Sequence, residues 1–153
     1  MMLLPPNRRL LGIDLGTKTI GLALSDVRRT IASAYKTLTR SKFSKDALIL
    51  KNICSEHQIV GVVIGLPKNM NGSEGPRAQS SKDFARNFNK LTELPVLIWD
   101  ERLSTMQAEK MLISADLSRA RRSQVIDKLA ATIILQSALD FMRNEPSSAN
   151  FIS

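Results

Sequence analysis

Between Leu10 and Leu38 three short β-rich runs follow one another with only tight polar turns between them, which leaves no room for a crossover and predicts an antiparallel meander. The runs are Leu10–Leu15, Ile20–Ser25 and Ile31–Leu38, separated by Gly16-Thr17-Lys18 and by Asp26–Arg29. From Ser44 the pattern changes. Ala47, Leu48, Leu50 and Cys54 recur at helical spacing to about His57, and the compact apolar run Ile59–Ile64 follows as a strand. A Gly- and Pro-rich loop from Gly65 to Pro76 leads into a helix over about 77–91, and Pro95 opens the strand Val96–Asp100. Ser104 and Ser123 are N-cap candidates for helices over Thr105–Ser114 and onward to about Met142. The order predicts an α/β domain whose five-stranded mixed sheet has three antiparallel strands, then two parallel ones, with helices on its flanks. At 153 residues the chain has room for one core. Residues 1–143 are assigned to that domain and 144–153 to a flexible C-terminal tail.

Composition narrows the chemistry. One cysteine, Cys54, excludes an internal disulfide and any zinc site built from Cys pairs, and one histidine, His57, excludes sites needing two. A metal here is held mainly by carboxylate oxygen, which points to Mg²⁺ or Mn²⁺. No apolar run approaches the roughly 20 residues that cross a bilayer, and the N-terminus lacks a secretory pattern, so a cytoplasmic location and no membrane partner are expected. Twenty-two basic against fourteen acidic residues leave a net charge of +8, an excess that favours polyanionic partners, nucleic acid first. Residues 28–51 hold seven bases against the single acid Asp46, and Arg119, Arg121 and Arg122 form a second cluster.

Three places could carry catalysis. Asp14 interrupts an apolar strand, where a carboxylate either caps its own turn or meets a cation. Asp100 and Glu101 leave the strand Val96–Trp99 at its carboxyl end, where open α/β sheets keep their ligands, although an acid pair at a helix entry with Arg102 as partner has the same sequence. Asp127 flanks the apolar stripe of the last helix beside Ala130 and Ala131, small residues that let a helix approach a sheet; an exposed acid paired with Arg122 or Lys128 is the alternative. Taken together, three converging carboxylates need cations to resolve their repulsion, and two divalent ions held this way hydrolyse phosphodiesters. Lys18, Arg28, Arg29, Lys68, Arg102, Arg119, Arg121 and Arg122 are then the candidate phosphate contacts. Five Phe, one Tyr and one Trp give little support to an aromatic stacking platform for single strands.

The ordered motifs Gly12-Ile13-Asp14-Leu15-Gly16-Thr17-Lys18, Ser25-Asp26, Gly65-Leu66-Pro67 with Met70-Asn71-Gly72, Asp100-Glu101-Arg102-Leu103-Ser104-Thr105 and Asp127-Lys128-Leu129-Ala130-Ala131 resemble those of the YqgF (RuvX) family. The resemblance spans about Leu11 to Phe141. It implies a ribonuclease H-like fold, and an activity as pre-16S rRNA nuclease or Holliday junction resolvase. It also implies a metal site of Asp14, Asp127 and an acid of the Asp-Glu-Arg motif, Glu101 being favoured over Asp100. Precursor rRNA is preferred as substrate and branched DNA is the alternative, as is a non-catalytic factor in transcription or ribosome assembly. Junction cutting would require a homodimer, whereas RNA trimming needs none. Thr19 and Asn71 depart from the family pattern, which often has a base and an Asp there, without touching a proposed ligand.

Overall fold

The computed structural model describes residues 4–69, 71–103, 118–121, 129–145 and 149–152. The meander forms as expected: β1 (Arg9–Leu15), β2 (Thr19–Ser25) and β3 (Ala32–Thr39) pair antiparallel in sequence, with Asp14 opposite Gly21. The turn from β1 to β2 is closed by the Gly16 N–H donating to the Thr19 carbonyl at 2.9 Å. Helix α1 (Phe43–Glu56) then crosses to β4 (Ile59–Leu66), and α2 (Pro76–Thr92) crosses to β5 (Val96–Asp100). Both strands run parallel to β1, so β1, β4 and β5 all end at one edge of the sheet, at Leu15, Leu66 and Asp100. We call this the carboxyl edge.

Helix boundaries follow local chemistry. Pro76 stands at the first position of α2, where its missing N–H costs nothing, and Glu93 ends the helix in the left-handed conformation at φ 61°. The start of α1 is fixed by Asp46, whose two carboxyl oxygens accept from the Ser41 N–H and hydroxyl, both at 2.9 Å. That carboxylate is buried and satisfied, so the one acid of the basic segment is structural.

Strand alternation splits the core into two layers. Leu11, Ile13, Leu22, Val62 and Ile64 face α1 and α2, where Leu50, Ile53, Phe84 and Phe88 close the cluster. On the other face Leu10, Ala23, Val63, Leu97 and Trp99 pack against α3 (Ala130–Asn144) through Ala131, Ile134, Leu135 and Ala138. Helix α3 lies close to the sheet because Gly12 lies beneath it: a Cβ at that position would stand 2.7 Å from Leu135 Cβ and 3.1 Å from the Ala131 carbonyl oxygen.

The sheet has six strands, one more than the sequence predicts, in the order β3-β2-β1-β4-β5-β6. The extra strand β6 (Phe151–Ile152) comes from the segment expected to fray and pairs antiparallel with Val96 and Leu97. Its two residues have no periodicity to read. They are ordered by the open edge of β5 and by contacts of Phe151 with the Trp99 layer and of Ile152 with the opposite one. The expected helix over 105–114 and the first turns of the last predicted helix lie outside the described residues. Among the described residues no helix is long and apolar enough to cross a membrane.

Candidate active site

Asp14 is the penultimate residue of β1 and shares the α3 face with Leu10 and Gly12 by strand parity. Its neighbour across the ladder is Gly21, where a Cβ would come 3.7 Å from both the Asp14 Cβ and the Ala131 Cβ. Glycine there keeps the space beside the carboxyl open. On β5, Leu97 and Trp99 also point to the α3 face, and Glu101, the next residue of that parity, opens a helical turn over 101–103. Its side chain lies over Gly65 of β4, since a Cβ on that glycine would be 2.6 Å from Glu101 Oε1 and 2.6 Å from Ile134 Cδ1. Gly65 is therefore the seat of Glu101.

The two acids meet. The Asp14 and Glu101 side chains come within hydrogen-bonding reach of each other, an arrangement that favours a proton on one of the two carboxyls. Burial first, and the charge of Asp14 second, push Glu101 up to about 7 from its ordinary 4.5, while Arg77 acts in the opposite direction. Asp100 has the other parity and another partner. Arg102 binds it with Nη2 on Oδ2 at 2.7 Å, Nε on both oxygens at 3.2 Å and its own backbone N–H on Oδ1 at 3.0 Å. Those bonds hold Asp100 below the usual carboxylate range. Of the adjacent acids, Glu101 turns inward beside Asp14, and Asp100 is committed to Arg102.

A cavity of about 330 Å³ opens from Asp14 and Gly21 across Ala34–Thr37 of β3 to Leu129–Thr132 at the start of α3. Asp127, the third expected ligand, lies outside the described residues, as does Arg122. Among the described residues no three His, Cys, Asp or Glu side chains converge. What the structure supplies is a pair of hard oxygen donors, held side by side in a partly desolvated site. A divalent cation relieves that repulsion in place of the proton, so the donor set fits Mg²⁺ or Mn²⁺.

The expected phosphate contacts divide. Lys18 is exposed on the β1–β2 turn at the carboxyl edge, and Lys68 follows β4 there, 3.8 Å from Glu74. Arg102 is at that edge too but is engaged by Asp100. Arg28 and Arg29 are not brought to the site: they occupy the β2–β3 turn at the opposite edge, because β2 runs away from the acids. Arg29 takes a left-handed φ of 56° there and donates to the carbonyls of Pro5 at 2.8 Å and Arg8 at 3.0 Å, which ties down the N-terminal segment. Arg119 and Arg121 are exposed on a short helical piece. Two residues the sequence reading passed over, Arg40 and Arg77, reach the carboxyl edge through backbone carbonyls of Leu15 and Gly16. Arg40 belongs to the basic segment, and Arg77 follows the Gly75-Pro76 helix start; neither signal gives the direction of reach.

Comparison with known proteins adds the lineage. The family described as "RuvX: Holliday junction resolvase" matches residues 8–141. A protein of Ruegeria pomeroyi named "Putative pre-16S rRNA nuclease" is 55% identical over 141 residues, 92% of each chain. One of Rhodobacter capsulatus with the same name is 57% identical over 137 residues, 90% of this chain and 86% of that one. Among solved structures, Thermus thermophilus RuvC superposes with a TM-score of 0.62 at 12% identity, covering 94% of this chain and 99% of that one. RuvC of T. thermophilus in complex with a Holliday junction substrate gives 0.60 at 12%, with 95% and 99% covered. At that identity the likeness establishes the fold, which is ribonuclease H-like. With its family match running nearly end to end and relatives more than half identical over nine-tenths of its length, the chain belongs to the RuvX family.

Proposed function

We propose that this protein is a metal-dependent nuclease that hydrolyses phosphodiester bonds in structured RNA, acting in the 5′-end maturation of pre-16S rRNA in the cytoplasm. The observation that carries the reading is the Asp14–Glu101 pair, one carboxyl from the end of β1 and one from the turn after β5, which meet at the carboxyl edge with Glu101 buried over Gly65. Two carboxyls this close repel each other when both are ionised, and a divalent cation between them would remove that repulsion. Asp14, Glu101 and, from its place in the family motif, Asp127 would hold the ions. When bound, a pair of divalent ions polarises the phosphodiester and activates the attacking water. The chain's own residues do the rest. Asp14 and Glu101 would give up the proton they hold as the site loads, and Gly65 leaves room where a Cβ would crowd Glu101. The cavity between β3 and α3 gives the polynucleotide access to Asp14.

The names of the relatives support rRNA over DNA, and so does the placement of the aromatic residues. Phe43 packs edge-on to Phe84, Phe84 stacks with Phe88, Trp99 packs on Phe141, Tyr35 on His57, and Phe151 joins the Trp99 layer. That leaves Tyr35 at the cavity and the part-exposed Phe43 as the rings a nucleic acid could meet, few for a wedge that opens a four-way junction. The test is incubation of the protein with a labelled pre-16S rRNA fragment and a labelled four-way DNA junction side by side, with and without Mn²⁺. Mn²⁺-dependent cleavage of the RNA by the parent chain and none by Asp14→Asn is the expected result. Preferential cutting of the junction, together with a dimer mass in solution, would assign the resolvase activity instead. Salt-sensitive binding with no turnover of either substrate would leave a non-catalytic binding factor, and full activity in Asp14→Asn would remove the mechanism.

A further inference from the structure

Cations around the carboxyl edge are mostly neutralised by a neighbouring acid: Arg102 by Asp100, and Lys68 and Lys82 by Glu74. Two arginines are held differently. Leu15 and Gly16, the residues directly after Asp14, each offer a carbonyl to a guanidinium from a distant part of the chain. Arg77 Nη2, from the first turn of α2, donates to Leu15 at 3.2 Å, and Arg40 Nη1, just past β3, donates to Gly16 at 2.5 Å. The Arg40 backbone N–H adds a bond to the Lys18 carbonyl at 2.8 Å. Among the described residues neither guanidinium forms an ion pair with a carboxylate.

A carbonyl orients a guanidinium without cancelling its charge, and each side chain keeps four further N–H donors after that bond. The helix itself does not account for Arg77, since the dipole favours acids in its first turn; what its charge meets there is the acid site, where it acts on Glu101. The net effect is two guanidinium groups oriented on the consecutive residues that follow Asp14, of which Arg77 also opposes the negative charge at Glu101.

We propose that Arg40 and Arg77 are a preset phosphate clamp, binding the backbone phosphates on either side of the one that is cleaved. The inference rests on the nuclease reading for which phosphate is cut, but its binding prediction does not. Arginine suits the task because one N–H can anchor the planar fork while the others face a phosphate bidentately, so little freedom is lost on binding. The assignment moves the principal phosphate contacts from the lysines and arginines of the turns to two residues that frame Asp14.

Binding of the labelled pre-16S rRNA fragment is measured in the Asp14→Asn background, so that cleavage does not enter. Replacing both arginines by glutamine (R40Q with R77Q) is expected to reduce the slope of log affinity against log salt by ~1.4, from about 0.7 for each single-strand phosphate contact. The double lysine variant should restore the slope. Arg86→Gln, on the exposed flank of α2 with Asp83 as partner, serves as the control and should leave it unchanged. A parent-like slope in the glutamine variant overturns the clamp, as does failure of the lysines to restore it, since charge would then not be what was lost. A second measurement needs no variant: arginine modification by phenylglyoxal, read by mass spectrometry, should be blocked by RNA at Arg40 and Arg77 but not at Arg86. Equal modification with and without RNA overturns the proposal even if the variants do not fold. Failure of the nuclease reading is separate and shows as uncleaved RNA with the parent chain and Mn²⁺.

Discussion

At the edge where β1 begins, Asp26 accepts hydrogen bonds from the Thr30 N–H at 2.8 Å, the Thr30 hydroxyl at 2.9 Å and the Ile31 N–H at 3.0 Å. Those bonds, the one from Ile31 foremost, draw its pKa below the ordinary value. At the edge where β1 ends, Glu101 is buried against Asp14 and pushed up to about 7. Both are carboxyls just beyond the end of a strand. One is fully served by its own turn; the other is buried against a second carboxyl, with only Arg77 acting in the opposite direction. The arginines follow the same division: Arg29 spends its guanidinium closing the N-terminal segment, whereas Arg40 and Arg77 keep most of theirs available. What the contrast teaches is that a residue's type and its place at a strand end do not make a site. The unmet electrostatic demand does, and here it is confined to one edge.

The sharpest way to break the contrast is to remove an acid at the strained edge. Glu101→Gln should lower Mn²⁺-dependent cleavage by more than the ~100-fold that loss of an outer-shell partner costs a metal site. Asp100→Asn, one residue away, should stay within that bound, because Asp100 serves Arg102; steady-state kinetics on the two variants decide it. Gly65→Ala is next. Its methyl would enter the space of Glu101 Oε1 and Ile134 Cδ1, so a loss of about 1–3 kcal/mol in denaturant unfolding should accompany a large loss of activity.

Stability against pH separates the edges by sign. A carboxyl raised from 4.5 to about 7 binds its proton more tightly folded than unfolded, so the fold is favoured below pH 4.5 and loses stability as the pH climbs through 7. In metal-free protein Glu101→Gln should therefore stabilise at pH 8 by up to ~3 kcal/mol, less whatever solvent screens, and leave stability unchanged near pH 4. Asp26 has the reverse linkage: its lowered pKa contributes stability above the unfolded value that is lost as the pH falls through the folded one. Asp26→Ala should cost about 1 kcal/mol at pH 7 and spare cleavage. A pH-independent effect of Glu101→Gln would dissolve the distinction between the edges.

Much of this was legible beforehand. The meander, the two crossovers and the strand Val96–Asp100 follow from period and turn chemistry, whereas the choice of Glu101 over Asp100 comes from the family resemblance alone, and its reason, Glu101 seated over Gly65 while Asp100 binds Arg102, is tertiary. Sequence order misleads where charge is concerned. The basic segment 28–51 reads as one patch, but the β2–β3 hairpin carries Arg28 and Arg29 to one edge and returns Arg40 to the other. The reach of Arg77 is tertiary, as is β6, whose two residues are ordered only by the strand they cover.

The account depends on Asp14 and Glu101 acting as one ion-binding pair. Calorimetric titration of Mn²⁺ into the RNA-free protein, in buffers of different ionisation heat, measures the protons released on binding. Near pH 7 the account predicts release of about half a proton from the parent chain, vanishing by pH 9, with much weaker binding in Glu101→Gln. Mn²⁺ binding with no proton release and equal affinity in both proteins, or no binding at all, would contradict it.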